Sequence, residues 1–220
     1  MRLITDHIVV GMMEENCYIL HEEDERGQED RCKSPGEAVL IDPGAAADRI
    51  LELLKSLSLK PAAILLTHGH FDHISAVPGI RDAFPDIKVY SSEKELPMLG
   101  SEALNLSAHM GDPVSLFGVI GLSEGDELSL LSRSFRLLET PGHTAGGCCY
   151  YVEEEGLLFS GDTLFYGTCG RTDLSTGSEA MMGQSLRRLS ELPSEVRVFP
   201  GHGDETSIGD EKKHGLLSFS

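Results

Sequence analysis

The stretch LLTHGHFDHIS, Leu65 to Ser75, places His68, His70, Asp72 and His73 within six consecutive positions, directly after an apolar run. Neutral imidazole and carboxylate are donor groups that Zn²⁺, Fe and Mn²⁺ all accept. A single histidine more often serves packing or a local hydrogen bond. Four such groups on one tight loop can converge on a small volume, and that points to a metal. Three further candidates follow: His143 in TPGHTAGG, Asp162 in FSGDT and His202 in FPGHG. Each has glycine beside it, which lets the backbone turn sharply and brings a ligand close. Seven candidate ligands are enough for two ions and too many for one.

Apolar runs ending in a polar tag must position these groups. VLIDPG, ILLTHGH, RLLETPGH, LLFSGD and VRVFPGH all have this form. Side chains just past strand ends gather at one sheet edge, where α/β proteins build sites. The repeated PGH tag also resembles a duplicated half-domain at the level of architecture. Strands are expected at LITDHIVV, NCYILHE, EAVLIDPG, AAILLTH, IKVYSS, DELSL and SFRLLETPGH, with VRVFPGHG as the last. CCYYVEEEGLLFSGD reads as a hairpin turning at Glu154-Glu155-Gly156. AAADRILELLKSLSL has Ile50, Leu53, Leu54 and Leu57 at helical spacing and should end at Pro61. A helix from about Ile74 to Phe84, broken near Pro78-Gly79, and another over EAMMGQSLRRLSEL complete an alternating α/β pattern. Residues from Lys94 to Val119 read as a short helix and a long loop.

The 220 residues suit one domain, with 40% hydrophobic residues and 24 glycines. With 18 basic and 36 acidic residues the net charge is −18, which opposes nucleic-acid binding. Part of the acid sits in HEEDERGQED, His21 to Asp30, read as a solvated loop spanning 21–36. Cys17, Cys32, Cys148, Cys149 and Cys169 form no CxxC pair. Cys148 and Cys149, adjacent on a strand, should point to opposite faces, so reduced thiols are expected. No run has transmembrane length and no signal-type segment opens the chain, so a cytoplasmic protein with no membrane partner is expected.

THGHFDH, PGHTAGG, SGDT and PGHG, in this order, resemble the metallo-β-lactamase fold superfamily over nearly the whole chain. The resemblance implies a four-layer αββα sandwich, with two mixed β-sheets and helices outside, as a single domain over 1–220. It also implies two divalent metal ions, Zn²⁺ foremost and Fe or Mn²⁺ otherwise. His68, His70 and His143 would hold one, Asp72, His73 and His202 the other, and Asp162 would bridge them. Asp72 and Asp162 are then the catalytic carboxylates. Metal-bridged hydroxide would attack an acyl carbon, with no protein nucleophile. Asp42 in IDPG is expected to support a ligand loop by hydrogen bonding.

Class B lactamases often place Cys where Asp162 stands. Flavodiiron proteins place Glu at the position of His70, and RNA-processing members carry large added domains. GDTLFYGTCGRTDLSTGS, Gly161 to Ser178, instead resembles small glyoxalase II-like hydrolases, whose substrates are hydroxyacyl-glutathione thioesters. Arg171 and Asp173 within it would pair over the site or contact the substrate. Full glyoxalase II enzymes add a C-terminal helical domain that grips glutathione. None is expected in the 18 residues after His202, where Lys212, Lys213 and His214 read as a solvated tail. The alternative is a persulfide dioxygenase, which shares a similar GRTD segment. It would use mononuclear iron held by His68, His143 and Asp162.

Overall fold

The computed structural model describes residues 1–23 and 35–218. The N-terminal half builds a six-stranded mixed sheet from β1 (Arg2–Val10), β2 (Glu15–Glu23), β3 (Gly36–Ile41), β4 (Leu59–Leu65), β5 (Lys88–Ser92) and β6 (Ile120–Leu122), in that spatial order. The C-terminal half builds a second from β7 (Glu127–Leu130), β8 (Arg133–Glu139), β9 (Cys148–Val152), β10 (Leu157–Gly161), β11 (Arg197–Pro200) and β12 (Thr206–Ser207), again with sequence neighbours side by side. Each half thus contributes one sheet, but their pairings differ. The first has parallel pairs among β3, β4, β5 and β6, whereas in the second only β10 and β11 run parallel. Likeness between the halves therefore stops at strand number.

Alternation along the strands explains the layering. In β2, Tyr18 and Leu20 face the second sheet and meet Phe135, Tyr150, Phe159 and Phe199. Cys17 and Ile19 face the other way, toward Ile50 and Leu54 of α1 (Ala47–Ser56). Strand β9 repeats this: Cys148, Tyr150 and Val152 line the inter-sheet core. Cys149 and Tyr151 pack with Met182, Leu186 and Leu189 of α5 (Glu179–Leu189). A two-residue period buried on both faces needs cover on both faces. The result is the αββα sandwich, with three apolar cores between four layers. Cys148 and Cys149 point to opposite faces, as expected, and both are free thiols.

Several boundaries differ from the sequence reading. α1 ends at Ser56 and β4 already begins at Leu59, so Pro61 lies inside a strand. It sits opposite Ala38, where the β3–β4 register shifts, a place that tolerates a missing N–H. The helix expected from Ile74 is two, α2 (Phe71–Ile74) and α3 (Val77–Ala83). The break precedes Pro78, which occupies the first turn of α3, where an absent N–H costs nothing. The middle region forms α4 (Leu96–Leu99) and two short 3-10 turns. VRVFPGHG is not the last strand, because β12 follows it.

The expected solvated tail is instead α6 (Ile208–His214), capped by the Ser207 side chain. Lys212 donates to Leu192 O, and Lys213 pairs with Asp210. The acidic loop is shorter than 21–36. His21 to Glu23 belong to β2 and Gly36 opens β3, while 24–34, including Cys32, lie outside the described residues. His21 is buried, with a ring nitrogen 3.0 Å from Asp6. No helix among the described residues is long and apolar enough to cross a membrane.

Candidate metal centre

The polar tags do gather at one edge of the paired sheets. Asp42 follows β3, His68 and His70 follow β4, and Asp72 and His73 lie on α2. His143 follows β8, Asp162 follows β10 and His202 follows β11. Two triads of the expected ligands form there, and a third grouping, Asp42 with His68 and His73, shares one histidine with each. Ligand-type atoms of His68, His70 and His143 lie within 4.8 Å of one another, and so do those of Asp72, His73 and His202. Asp162 stands between them. Its Oδ2 is 3.4 Å from His143 Nε2, and its Oδ1 is 3.4 Å from His73 Nε2 and 3.7 Å from His202 Nε2. All seven residues named from the sequence converge.

The nitrogens that face away from the centre identify what faces in. His143 Nδ1 lies 2.8 Å from the Arg171 carbonyl, and His202 Nδ1 lies 3.0 Å from the Met13 carbonyl. A carbonyl only accepts, so these Nδ1 atoms carry the hydrogens and donate. His73 Nδ1 likewise donates to Asp42 Oδ2 at 3.0 Å. With neutral rings, the opposite Nε2 atoms then hold lone pairs. His73 Nε2 and His202 Nε2 face each other at 3.3 Å, and His70 Nδ1 is 2.9 Å from His143 Nε2. His68 Nε2 and Asp162 Oδ1 are buried without any hydrogen-bond partner. Imidazole nitrogens and anionic oxygens crowded this closely, two of them buried without a partner, suit cations between them, so the donor set fits metal ions.

Electrostatics divides the two triads. Burial, reinforced by the neighbouring imidazoles, holds His68 well below the ordinary histidine range and lowers His70 to about 4. Burial also pulls on His73, but Asp162 and Asp42 outweigh it and raise its pKa well above normal. His202 is raised too, since Asp72 and Asp162 outweigh its burial. Asp72 and Asp162 both stay low despite burial: His202 and His73 hold the Asp72 proton off, and His73 and His143 do so for Asp162.

Asp42 has the supporting place expected of it. Its Oδ1 accepts from Thr67 N at 2.7 Å, and Oδ2 accepts from both the Thr67 hydroxyl and His73 Nδ1. Its backbone is left-handed, with φ of 49°, a conformation held by these contacts. At Gly201 the second sheet approaches the centre so closely that a Cβ would lie 2.5 Å from both Asp162 Oδ1 and His73 Cε1. Arg171 and Asp173 pair through two hydrogen bonds of 2.7 and 2.8 Å, with side chains 63% and 68% exposed. Arg171 meets the centre through its carbonyl rather than its guanidinium. Cys169 is half-buried nearby, with a thiol pKa raised by burial, a poor state for a nucleophile.

Sequence reading missed several supporting groups. Glu15, fully buried, has Oε1 4.0 Å from His73 Nδ1, and burial keeps its pKa well above the usual carboxylate range. Asn16 donates to Pro200 O and Gly203 O, and Tyr18 OH donates to Pro200 O at 2.7 Å, together fixing the strand that delivers His202. Glu211 accepts from Gly167 N and the Thr206 hydroxyl, anchoring the GDTLF loop. Asn16 opens the readable strand NCYILHE, yet lone polar residues like these carry no spacing signature.

A paired-sheet αββα sandwich with two His-rich triads at one edge defines a class of metal-dependent enzyme. Residues 32–202 match the Metallo-beta-lactamase superfamily, and the chain belongs to that family. A probable metallo-hydrolase, YqgX of Bacillus subtilis, is 37% identical over 206 residues, covering 92% of each chain. The hydroxyacylglutathione hydrolase GloC of Haemophilus influenzae is 30% identical over 210 residues, covering 94% of this chain and 93% of its own. Among solved structures, the BLEG-1 B3 metallo-beta-lactamase superposes with a TM-score of 0.85 at 36% identity, over 98% of this chain and all of its own. TTHA1623, solved in a di-iron-bound form, gives 0.79 at 37%, over 95% and 98%. ETHE1 from Myxococcus xanthus gives 0.73 at 29%, over 99% and 86%.

Proposed function

We propose that this chain is a dinuclear metal-dependent thioesterase of the glyoxalase II type, cleaving hydroxyacyl-glutathione or a closely related thioester. The observation that carries the reading is the pair of complete triads with Asp162 between them. His68, His70 and His143 would hold one ion, Asp72, His73 and His202 the other, and Asp162 both. When bound, such ions activate a water and polarise an acyl carbonyl. The protein's own contribution is orientation and charge. Asp42, Arg171 O and Met13 O fix three imidazoles by their outward nitrogens. Asp72 and Asp162, both held ionised, offer acceptor oxygens for the proton of the attacking water. The Gly161 to Ser178 loop, with Arg171 and Asp173, would border the thioester.

Likeness to a hydroxyacylglutathione hydrolase along nearly the whole chain supports the thioester. A mononuclear iron dioxygenase acting on a persulfide would need only His68, His143 and Asp162. The convergent Asp72, His73 and His202 supply a second ligand set, which supports the dinuclear reading. Metal analysis of protein purified without added metal, beside an assay on lactoylglutathione with and without O₂, tests this. About two ions per chain and O₂-indifferent thioester cleavage are expected. Turnover requiring both O₂ and a persulfide would replace this reading with the dioxygenase.

A further inference from the structure

One buried carboxylate links the two loops that carry the all-histidine triad, although it stands on neither. Glu95 ends the 3-10 turn Glu93–Glu95 after β5 and is 1% exposed. Its Oε1 accepts the backbone N–H of Gly69 at 2.9 Å, and its Oε2 accepts that of Gly146 at 2.9 Å. Gly69 lies between His68 and His70, and Gly146 lies on the β8–β9 loop that carries His143. The first loop leaves one sheet and the second belongs to the other. A single side chain therefore ties the sheets together where the triad spans them.

The local packing leaves little room for another arrangement. A Cβ at Gly146 would lie 2.3 Å from the Glu95 nitrogen and 2.4 Å from the Lys94 carbonyl carbon, so the loop runs directly against the turn. Met98 and Leu99 of α4 close on Gly69 from the same segment. Both partners of the carboxylate are donors. A carboxylate offers two acceptor oxygens, whereas an amide offers one acceptor and one further donor. The glutamine side chain has nearly the same shape and would still turn one contact into a clash of donors.

We infer that Glu95 is a positioning residue for the His68, His70 and His143 site. Its carboxylate sets the spacing of the two ligand loops, and through it that triad's affinity for an ion, without touching the ion. This rests on reading the triad as a metal site, and the test separates the two claims. Each triad is isolated in the full chain by removing a ligand of the other, His202→Ala leaving the first and His68→Ala the second. Glu95→Gln is then added to each, and Co²⁺ affinity is measured by visible absorption in competition with a chelator.

In the His202→Ala background, Glu95→Gln should weaken Co²⁺ binding by about 10- to 100-fold, the usual effect of losing a group that orients ligands. In the His68→Ala background the change should stay below about threefold, because the two loops that Glu95 holds carry none of that site's own three ligands. Equal weakening in both backgrounds, or none in the first, overturns the positioning role. A parent chain that binds no Co²⁺ overturns the metal reading instead. Hydrogen exchange in the metal-free wild type supplies a check that needs no variant. The Gly69 and Gly146 amides should both be strongly protected, and free exchange of either one refutes the clamp.

Discussion

The two triads share a sheet edge and Asp162, yet they are built in opposite ways. The His68, His70 and His143 group has no carboxylate and is fully buried. Burial and mutual proximity keep His68 and His70 neutral. The Asp72, His73 and His202 group includes a carboxylate, opens partly to solvent through Asp72 and His202, and attracts protons to its imidazoles. Ligand type already separates the sites, and burial and neighbouring charge widen the difference.

Asp162 is the one residue common to both, so its loss should have the largest effect. Asp162→Ala is expected to lower the proposed thioesterase activity by roughly 100- to 1000-fold, a range typical of losing one electrostatic group at the reacting centre. It should also weaken metal retention at both triads. Normal turnover in that variant, measured beside its metal content, would remove Asp162 from the bridging position.

Asp42 bonds His73 directly and reaches His68 only through the Thr67 hydroxyl, so its loss should fall mainly on one side. Asp42→Asn places an amide where Thr67 and His73 both require an acceptor. The ion at the Asp72, His73 and His202 group should bind about 10- to 100-fold more weakly. Comparable weakening at the all-histidine group in the same titration would erase the distinction between the sites.

Acid should sharpen the contrast further. His73 and His202 have raised pKa values, so an ion entering there must displace protons, and retention should fall about tenfold per unit of pH for each proton displaced. His68 and His70 are both lowered, His70 to about 4, so these two ligands resist protonation as pH falls. Equilibrium dialysis from pH 7 to pH 5 should show the second group emptying first. In the metal-free protein the depressed His70 acts on stability in a definite direction. The unfolded chain binds a proton near pH 6.5 and the folded one only near 4. The contribution is therefore complete above pH 6.5 and is lost as pH falls toward 4, which urea unfolding across that window measures. Simultaneous loss of both ions with equal proton counts would break the comparison.

The smallest effect is expected at Arg171. Its side chain and that of Asp173 are exposed, so Arg171→Ala should leave the thermal midpoint unchanged, because open ion pairs contribute little. A raised KM with unchanged kcat would mark a substrate contact, and no kinetic change would mark a loop brace only.

The readable part of the site was the part made of scarce residue types. Histidines and aspartates bunched behind apolar runs have few structural explanations, and glycine beside them marks close approach. Strand alternation was equally legible, and with it the opposite faces of Cys148 and Cys149. Glu15, Glu95 and Asn16 were not legible, because each is a common polar residue in an ordinary strand or turn. Glu95 reaches partners 26 and 51 positions away, and only the meeting of two sheets brings them together. The same limit hid the role of Lys94 to Val119. That segment has no clear periodicity, yet its turn and α4 brace the loop bearing His68 and His70.

The sequence by itself determined the candidate ligand types, their order, the strand ends that carry them and an alternating α/β pattern, because residue chemistry and a period of two are local properties; the αββα plan was implied by the family resemblance. Only the tertiary structure decided which imidazole nitrogens face inward, which imidazoles resist protons and which carboxylates brace the loops. Those depend on burial and on distances between segments far apart in the chain, and neither is encoded at any single position.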